Sequence, residues 1–387
     1  FSKYSPIPPL RQVREISRAL LFPRHHSFHH FAPLNSDGEL IWVKGMNAGE
    51  IRQLEIDAQN NIYILATGGT VAGAQDNYDK PGYKAGSFDV QDLINAVPQL
   101  KKIANLKGEQ ISNIGSQDMN DTLWLKLGNR VNQLLSKPEV DGIVITHGTD
   151  TYEETAYFLN LIVDSDKPVV IVASMRPATS ISPDGPMNLF MGVVVASKKE
   201  AIGRGVLCVM NDEIHYATEV TKTMTVNPAT MKSPNRGLAG RVDDEVVRFF
   251  SPTDKRHTIK SEFRIDESIN SLPHVDIIYA HSNMKKTLID ASVKSGAEGI
   301  VIAGVGDGNM SNEALNALKQ YAASGVVIVR SSRVGSGAVN RNIEVNDDEL
   351  GFVAAMELNP QKARILLQLA LRETNDPVDI QRMFMEY

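Results

Sequence analysis

Threonine residues follow two short apolar runs of the chain, at points where a hydroxyl group could serve as a nucleophile. The first run, residues 62–66, leads directly into the sequence TGGTVAG at residues 67–73, in which adjacent glycines permit a tight turn that presents Thr70. The spacing matches neither a phosphate-binding loop nor a dinucleotide-binding turn. The segment alone therefore predicts either a reactive hydroxyl or merely a tight turn.

The second run ends in THGTDTYEET, residues 146–155, which concentrates hydroxyl groups and an acid before a predicted helix. Thr151 and Glu154 have the spacing of a capping box, so we expect them to start that helix. Thr149 and Asp150 have no comparable structural role. They are therefore the better candidates for a functional site.

Two further side chains could move protons. His147 could act as a general base, but no second His or Cys lies near it in the sequence, and a structural hydrogen-bonding role is the favoured interpretation. Lys222 lies between two threonines in a polar loop. A loop lysine is usually solvated, and only a site that desolvates it would prepare it for work as a base.

The remaining polar loops complete the chemical inventory. Ser116 and Gln117 follow another apolar stretch, and residues 74–86 form a segment rich in Gly, Pro and Asp that contains Tyr83 and has the composition of a mobile lid. Hydroxyls, one Asp, one Lys and amides suit a Thr nucleophile that attacks an acyl or amide carbon. The loops contain no cluster of metal ligands, and we expect neither a metal nor an organic cofactor.

The elements that must position these loops alternate in a regular way. Short β-branched runs are separated by helical patterns, as expected of a mostly parallel sheet with helices on both faces. Such sheets bind ligands at the carboxyl ends of their strands. The predicted strands occupy residues 62–66, 142–146, 169–173, 205–209, 275–279, 299–303 and 325–330.

A change of composition divides the chain into domains. Residues 251–272 are polar with weak periodicity, so we predict a linker there between a larger N-terminal α/β domain, 61–250, and a smaller C-terminal α/β domain, 273–387. Residues 1–60 form a basic, Pro-rich leader that we expect to be poorly ordered. Its bunched histidines could bind a metal, but a solvated leader is favoured.

Composition excludes several classes of function. The 387 residues include 40 Lys+Arg and 46 Asp+Glu, a net charge of −6, so no general positive field exists to bind nucleic acid or an anionic membrane. No apolar run approaches the length that spans a bilayer. The single cysteine, Cys208, excludes an intramolecular disulfide. Residues 13–22 do not make a convincing signal-peptide core.

Two of these motifs resemble the paired signatures of the bacterial L-asparaginase family, in its type II branch. They are TGGTVAG at 67–73 and GIVITHGTDTYEETAYFLN at 142–160. The similarity covers roughly residues 61–387. It continues through GEQISNIGSQDMND, MRPATSISPDGPMNL, VTKT, GVGDGN, SSRVGSGA and LNPQKARILLQLAL. The resemblance implies an amidohydrolase that converts L-asparagine to L-aspartate and ammonia, with possible activity on L-glutamine.

The resemblance also implies catalytic roles for individual residues. Thr70 would be the nucleophile that forms an acyl-enzyme, with Tyr83 of the lid close to its hydroxyl. Thr149, Asp150 and Lys222 match the Thr-Asp-Lys set of the family, in which a buried Lys222 would deprotonate Thr149 or the hydrolytic water. Which threonine attacks first is left open at this point.

Further positions match the family's substrate-binding groups. Ser116, Gln117 and Asp150 would hold the α-carboxylate and α-ammonium groups of the substrate. Asn309 and Glu344 match positions that reach the site of a neighbouring subunit, which implies a homotetramer built from intimate dimers. The type II resemblance also implies export to the periplasm.

The sequence departs from the family pattern at Val71, Tyr152 and Asp307. Asp307 replaces the more familiar Asn of the turn, and it would add a negative charge near the incoming substrate carboxylate and could shift the preference between asparagine and glutamine. Two other functions stay open. The chain could be a non-catalytic amino-acid-binding protein, or the amide-releasing subunit of a tRNA-dependent amidotransferase. The presence of Thr70 and Lys222 disfavours the first, and the net charge disfavours the second.

Overall fold

The computed structural model describes residues 60–73 and 88–387, in which strands and helices alternate as the sequence predicts. The strands are β1 (Asn60–Gly68), β2 (Ala104–Ile114), β3 (Gly142–Thr146), β4 (Val169–Val172), β5 (Val206–Met210), β6 (Glu213–Tyr216), β7 (Thr221–Lys222), β8 (Met231–Lys232), β9 (Gly240–Asp243), β10 (Val246–Phe249), β11 (Val275–Tyr279), β12 (Gly299–Gly304), β13 (Val327–Ser332) and β14 (Phe352–Ala354). The helices are α1 (Val90–Asn95), α2 (Asp121–Leu135), α3 (Tyr152–Ile162), α4 (Gly185–Ala196), α5 (Thr287–Lys294), α6 (Asn312–Ala323), α7 (Asp347–Leu350), α8 (Pro360–Glu373) and α9 (Pro377–Glu386).

Within the described residues, eight strands form the larger sheet, in the order β10-β9-β6-β5-β4-β3-β1-β2. The pairs from β2 to β5 are parallel, whereas β6, β9 and β10 extend the sheet with antiparallel pairs. The four predicted N-terminal strands correspond to β1, β3, β4 and β5. Because β1 lies between β2 and β3, the carboxyl ends of these three strands meet at one edge of the sheet.

The smaller sheet lies in the C-terminal part of the chain. In the described residues it contains four parallel strands in the order β11-β12-β13-β14. The sequence predicts the first three of these strands and misses β14, which is short. The two sheets confirm the prediction of a two-domain α/β fold, with a larger, mostly parallel N-terminal sheet and a smaller C-terminal one.

Apolar side chains cover both faces of the larger sheet. Leu65 and Ile145 point into one buried cluster, while Ile64 and Val144 point into another on the opposite face, as the alternation of side chains along a strand requires. The first cluster also contains residues of α3, α8 and the smaller sheet. Helix α8 of the C-terminal part therefore packs directly against α3, which begins at the carboxyl edge of the larger sheet.

The helices show the signals expected from the sequence. In α2, Leu127, Val131 and Leu134 are fully buried at helical spacing. Helix α8 begins at Pro360, and the side chain of Asn359 caps it by accepting a hydrogen bond from the backbone nitrogen of Lys362 at 3.1 Å. Among the described residues, no helix has both the length and the apolar character needed to cross a membrane.

The predicted linker at 251–272 contains buried as well as exposed residues. It contains one short helical turn, Thr258–Lys260, and the fully buried Phe263, whose ring centre lies 5.1 Å from that of Tyr387. The contacts of the chain group the described residues into one compact unit. The boundaries of the two domains within this unit stay a prediction, and residues 1–59 of the predicted leader lie outside the described part.

Candidate functional site

The turn after β1 brings Thr70 against the end of β3. Gly69 has a φ of 75°, and a Cβ atom at this position would overlap the backbone nitrogen of Gly148. Only glycine therefore allows the two loops to approach so closely. Thr70 begins a short helical turn and is 3% exposed. The structure thus places the turn that carries Thr70 beside the loop that follows β3.

The loop after β2 docks onto the same segment. The backbone N–H of Asp150 donates to Ser116 Oγ at 3.1 Å, and Thr151 Oγ1 donates to the Ser116 carbonyl at 2.7 Å. A Cβ atom on Gly148 would lie 2.5 Å from Ser116 Oγ, so this glycine too is required by close approach. The predicted capping box is wrong, because Thr151 makes no side-chain cap and uses its hydroxyl to join the two loops instead.

Lys222 joins the site from a strand 72 residues beyond Asp150. Its Nζ donates to Thr149 Oγ1 at 2.9 Å and to Asp150 Oδ1 at 2.6 Å. The side chain of Lys222 is 18% exposed and that of Asp150 is 57% exposed, so the pair lies at the mouth of the site. The three side chains that the sequence proposes as a Thr-Asp-Lys set therefore form one hydrogen-bonded cluster, which we call the TDK cluster.

Gln117, the residue after Ser116, is exposed. It belongs to the short helical turn Ser116–Asp118, and its Nε2 donates to Asp118 Oδ2 at 3.3 Å. Ser116 itself is 5% exposed. The turn consequently offers one buried hydroxyl, which contacts the backbone of Asp150, and one exposed amide on the next residue. These groups are of the kinds that bind a carboxylate and an ammonium group.

His147 has the structural role that the sequence favours. It is fully buried, its Nδ1 lies 2.7 Å from the Gly148 carbonyl and its Nε2 lies 2.9 Å from Thr155 Oγ1, which also accepts a hydrogen bond from Trp124 Nε1 at 2.8 Å. Burial lowers the pKa of His147 to about 4. The ring is therefore neutral at pH 7, and its two nitrogens are engaged in holding the loop.

Asn309 and Glu344 lie in loops of the smaller sheet. Asn309 pairs with Val305 through two backbone hydrogen bonds of 2.8 Å, and Glu344 is exposed. In the described residues, no hydrogen bond or ion pair joins either side chain to the TDK cluster. The structure of a single chain thus does not bring these two predicted binding residues into its own site.

A buried arginine that sequence reasoning missed connects those loops. Arg330 is fully buried; its Nη1 donates to the Asp307 carbonyl at 2.9 Å and its Nη2 to the Asn340 carbonyl at 3.0 Å. Its Nε and Nη2 also donate to the two carboxylate oxygens of Asp347 at 2.6 and 2.8 Å. A charged residue that ends an apolar strand is a sequence signal for such a contact, because a buried charge requires a partner.

Several predicted features lie outside the described residues. These are Tyr83, with the rest of the proposed lid at 74–86, and the histidines of the leader. The role of Tyr83 stays a prediction. Among the described residues, no group of three or more His, Cys, Asp or Glu side chains has a geometry that could hold a metal ion.

Glu154, in the first turn of α3, gives the stability of this region a defined pH dependence. Burial raises the pKa of its carboxyl group from 4.5 to about 7. The folded chain thus binds a proton more tightly than the unfolded chain, and stability is lost as pH rises from about 4.5 to about 7. We expect Glu154→Gln to raise the free energy of unfolding by roughly 1 to 3 kcal/mol at pH 8 and to give no gain at pH 4.

The measurement is urea unfolding of the parent and the variant at both pH values. Glu267→Gln is the control, because this carboxylate lies on the exposed surface of the linker and its loss should change the two unfolding curves equally. A gain that is the same at pH 4 and pH 8 would contradict the explanation by proton binding.

Comparison with known proteins extends over both sheets. The family model described as "Asparaginase, N-terminal" matches residues 61–255. The family model described as "Glutaminase/Asparaginase C-terminal domain" matches residues 274–384. The "Probable L-asparaginase periplasmic" of Haemophilus influenzae is 51% identical over 327 residues, which cover 84% of this chain and 93% of that protein. The "Glutaminase-asparaginase" of Pseudomonas fluorescens biotype A is 47% identical over 329 residues, which cover 84% of this chain and 90% of that protein.

A solved structure gives the same result for the fold. The crystal structure of a probable cytoplasmic L-asparaginase from Campylobacter jejuni matches with a TM-score of 0.82 at 45% sequence identity. The match covers 85% of this chain and 100% of that one. Similar proteins are thus described both as periplasmic and as cytoplasmic.

Proposed function

Because the chain belongs to the asparaginase family, we propose that it hydrolyses the side-chain amide of L-asparagine to L-aspartate and ammonia, and that it also accepts L-glutamine. The observation that carries the proposal is the TDK cluster, which lies beside the turn that holds Thr70. An amine in contact with a hydroxyl and with a carboxylate supplies groups that amide hydrolysis through a hydroxyl nucleophile requires.

In the first step, Thr70 is the nucleophile. Its Oγ forms a bond with the amide carbon while the C–N bond breaks, and the hydroxyl proton ends on the departing ammonia. In the second step, water adds to the acyl-enzyme, releases L-aspartate and returns a proton to Thr70. Backbone N–H groups of the tight turns stabilise the oxyanion. Tyr83 is proposed to lie close to the Thr70 hydroxyl when the lid covers the substrate.

Proton transfer is assigned to the TDK cluster. Lys222 contacts Thr149 Oγ1, so an unprotonated amine there could take a proton from Thr149 or from a water that occupies the same position. Asp150 orients the amine through its 2.6 Å contact. With Thr70 assigned as the nucleophile, these contacts are assigned to the second step, in which the cluster activates the water.

The two charged ends of the substrate are assigned to the loop after β2 and to Asp150. Ser116 Oγ accepts the Asp150 N–H, which leaves the hydroxyl hydrogen of Ser116 able to donate to the substrate carboxylate. The Gln117 amide is exposed beside it. Asp150 supplies the anionic partner for the α-ammonium group. A donor for the α-carboxylate and an anionic partner for the α-ammonium group, fixed relative to each other, favour an α-amino acid over a simple amide.

We further propose a homotetramer in which Asn309 and Glu344 complete the site of a neighbouring subunit. The proposal is supported by the exposure of Glu344 and by the lack of contact, in the described residues, between either side chain and the TDK cluster. Its test is subunit mixing: inactive Thr70→Ala chains and weakened Glu344→Ala chains should recover activity when they are reassociated. Mixtures that stay as inactive as their components would contradict a shared site.

The proposed compartment is the periplasm, supported by the description of the Haemophilus influenzae relative. The Campylobacter jejuni relative is described as cytoplasmic, so family membership alone leaves the compartment undecided. Cell fractionation with marker enzymes of both compartments tests the proposal. Recovery of the chain with the cytoplasmic marker would refute it.

The decisive experiment measures ammonia release from L-asparagine and from L-glutamine by the purified chain, with D-asparagine as a stereochemical control. We expect hydrolysis of L-asparagine, with L-glutamine within about 10- to 200-fold, because one methylene group changes the binding energy by only about 1 to 3 kcal/mol. A chain that binds L-aspartate but releases no ammonia would instead be a non-catalytic amino-acid-binding protein.

Asp307 is expected to have little effect on the choice between the two amides. Its carboxylate accepts hydrogen bonds from Asn340 N at 2.7 Å and Asn340 Nδ2 at 3.1 Å, so its oxygens are engaged within the loop. Asp307→Asn should change the ratio of kcat/KM for asparagine and glutamine by less than about threefold, well below the effect of a methylene group. The control is Asp244→Asn in an exposed turn. A tenfold change at Asp307 alone would show that its charge reaches the substrate.

A further inference from the structure

A buried lysine of the C-terminal part of the chain contacts the segment that leads to Lys222. Lys362, on helix α8, is 2% exposed. Its Nζ donates to the Thr218 carbonyl at 2.9 Å and to the Val220 carbonyl at 2.6 Å. The two carbonyls belong to residues four and two positions before Lys222. The ammonium group therefore fixes the backbone immediately before the strand that carries the proposed base.

The strand that carries Lys222 is short. Strand β7 is two residues long and pairs with β8 at only two positions, Thr221 with Lys232 and Lys222 with Met231. So short a ladder gives few hydrogen bonds to resist a shift. The position of Lys222 along its strand thus depends also on contacts outside the ladder. After Lys222, the backbone N–H of Thr223 donates to the Thr230 carbonyl at 2.8 Å, and before it, Lys362 holds the two carbonyls of residues 218 and 220.

The start of α8 and its capping residue also contact the segment that carries Thr149 and Asp150, the other two members of the TDK cluster. Asn359 Nδ2 donates to Glu153 Oε2 at 2.9 Å, and Gln361 Nε2 donates to Glu153 Oε1 at 2.8 Å. Glu153 is 5% exposed and lies three residues after Asp150. Helix α8 consequently contacts both segments that must meet, one through Lys362 and the other through Glu153.

Charge balance makes this connection specific. Lys362 Nζ lies 3.9 Å from Glu153 Oε2, and Glu219, between the two bound carbonyls, is also buried. A cation in this position offsets the cost of burying both carboxylates. Removing the ammonium group would leave the carboxylates of Glu153 and Glu219 without this neighbouring cation. It would also remove the hydrogen bonds to the carbonyls of residues 218 and 220, so the backbone before Lys222 would relax.

We propose that Lys362 is a positioning residue for the hydrolysis reaction, which sets the distance from Lys222 Nζ to Thr149 and Asp150 through the backbone of residues 218–220. The inference rests on the proposed function, because Lys222 must act in the reaction. Misplacement of a catalytic group by about 1 Å can cost about 100-fold in rate. The effect should appear in kcat far more than in KM, since Lys362 does not touch the groups assigned to the substrate.

The test is a double-mutant cycle measured by ammonia release from L-asparagine. Lys362→Met should lower kcat by about 10- to 100-fold and change KM by less than about threefold. In a chain that already carries Lys222→Met, the further change Lys362→Met should lower the residual rate by less than about twofold, because its route of action has been removed. Equal losses in both backgrounds would overturn the proposal, as would an unchanged kcat in the single variant.

A matched control separates position from general stability. Lys167 donates in the same way to two backbone carbonyls, those of Leu135 and Lys137 at 3.0 and 2.7 Å, but it lies just before β4, at the opposite edge of the sheet. Lys167→Met should leave kcat within about twofold of the parent. If both lysine variants lose kcat alike, the effect is loss of packing and the positioning role is refuted.

A second variant guards against failure of Lys362→Met to fold. Lys362→Gln keeps a polar donor, and it should retain more kcat than the Met variant at equal occupancy of the folded state, which thermal unfolding measures. A Gln variant that folds but is no better than Met would count against the carbonyl contacts. A parent chain that hydrolyses neither amide would refute the proposed function itself, a result distinct from any pattern among the variants.

Discussion

Replacing Thr70 with alanine should lower kcat for L-asparagine by about 10⁴-fold or more, equivalent to roughly 5.5 kcal/mol of activation free energy. The reason is that no acyl-enzyme can form without the Thr70 hydroxyl, and the remaining groups can only assist direct attack by water. Thr70 is 3% exposed and lies in a turn set by the backbone of its neighbours. Loss of its hydroxyl should therefore leave the turn in place. Steady-state ammonia release measures the effect.

Two controls make this result specific. Thr70→Ser keeps the hydroxyl and should retain activity well above that of the alanine variant. Binding of L-aspartate by Thr70→Ala, measured by calorimetry, should stay within about tenfold of the parent, because the groups assigned to the substrate's charged ends are unchanged. An alanine variant that keeps a tenth of the parent kcat would show that Thr70 is not the nucleophile.

Replacing Lys222 with methionine should lower kcat by about 10³-fold, within the range found for loss of a general base. Methionine keeps most of the length of the side chain but cannot contact Thr149 Oγ1 or Asp150 Oδ1 as the amine does. The ion pair lies at the mouth of the site, where Asp150 is largely exposed, so its loss should cost less than about 1 kcal/mol of stability. Lys222→Met should therefore lower kcat strongly while changing the free energy of unfolding only slightly.

Lys232 provides the matched control for this prediction. It lies on β8, the partner strand of β7, and its Nζ contacts Glu213 Oε2 at 3.1 Å, away from the TDK cluster. Lys232→Met removes a lysine from the same small sheet and should leave kcat within about twofold. If kcat of Lys222→Met falls by less than tenfold, Lys222 is not the base, and Thr149 must be activated by another group.

Sequence patterns predict the buried parallel strands of the fold because the signals for these strands are local. The buried parallel strands are continuous β-branched runs, and β1, β3, β4 and β5 appear where those runs lie. Strand β2 is not among the predicted strands, because it lies at the edge of the sheet and alternates irregularly between buried and exposed positions, so the apolar stretch before Ser116 is not a continuous β-branched run. Strand β14, with three residues, is too short to give a pattern.

Local signals failed where a side chain had a hydrogen-bond partner far away in the sequence. The spacing of Thr151 and Glu154 fits a capping box, but the Thr151 hydroxyl donates to the Ser116 carbonyl, 35 residues away. A partner from another strand end replaced the local bond that the spacing predicts. The capping-box rule describes an isolated helix end, whereas this helix starts where two loops of the sheet meet.

The sequence by itself provided the candidate residues of the site and predicted that the strands of the larger sheet would bring the loops after β1 and β3 to one edge. Threonines, an aspartate and a lysine after apolar strands define the chemistry, and parallel pairing places strand ends together. Tertiary structure alone decided that Lys222 meets Thr149 and that Ser116 meets Asp150. It also decided that Lys362 and Arg330, both buried charges, hold the surrounding loops. These contacts join residues far apart in the chain, and their formation depends on the packing of whole loops and helices, which no local pattern records.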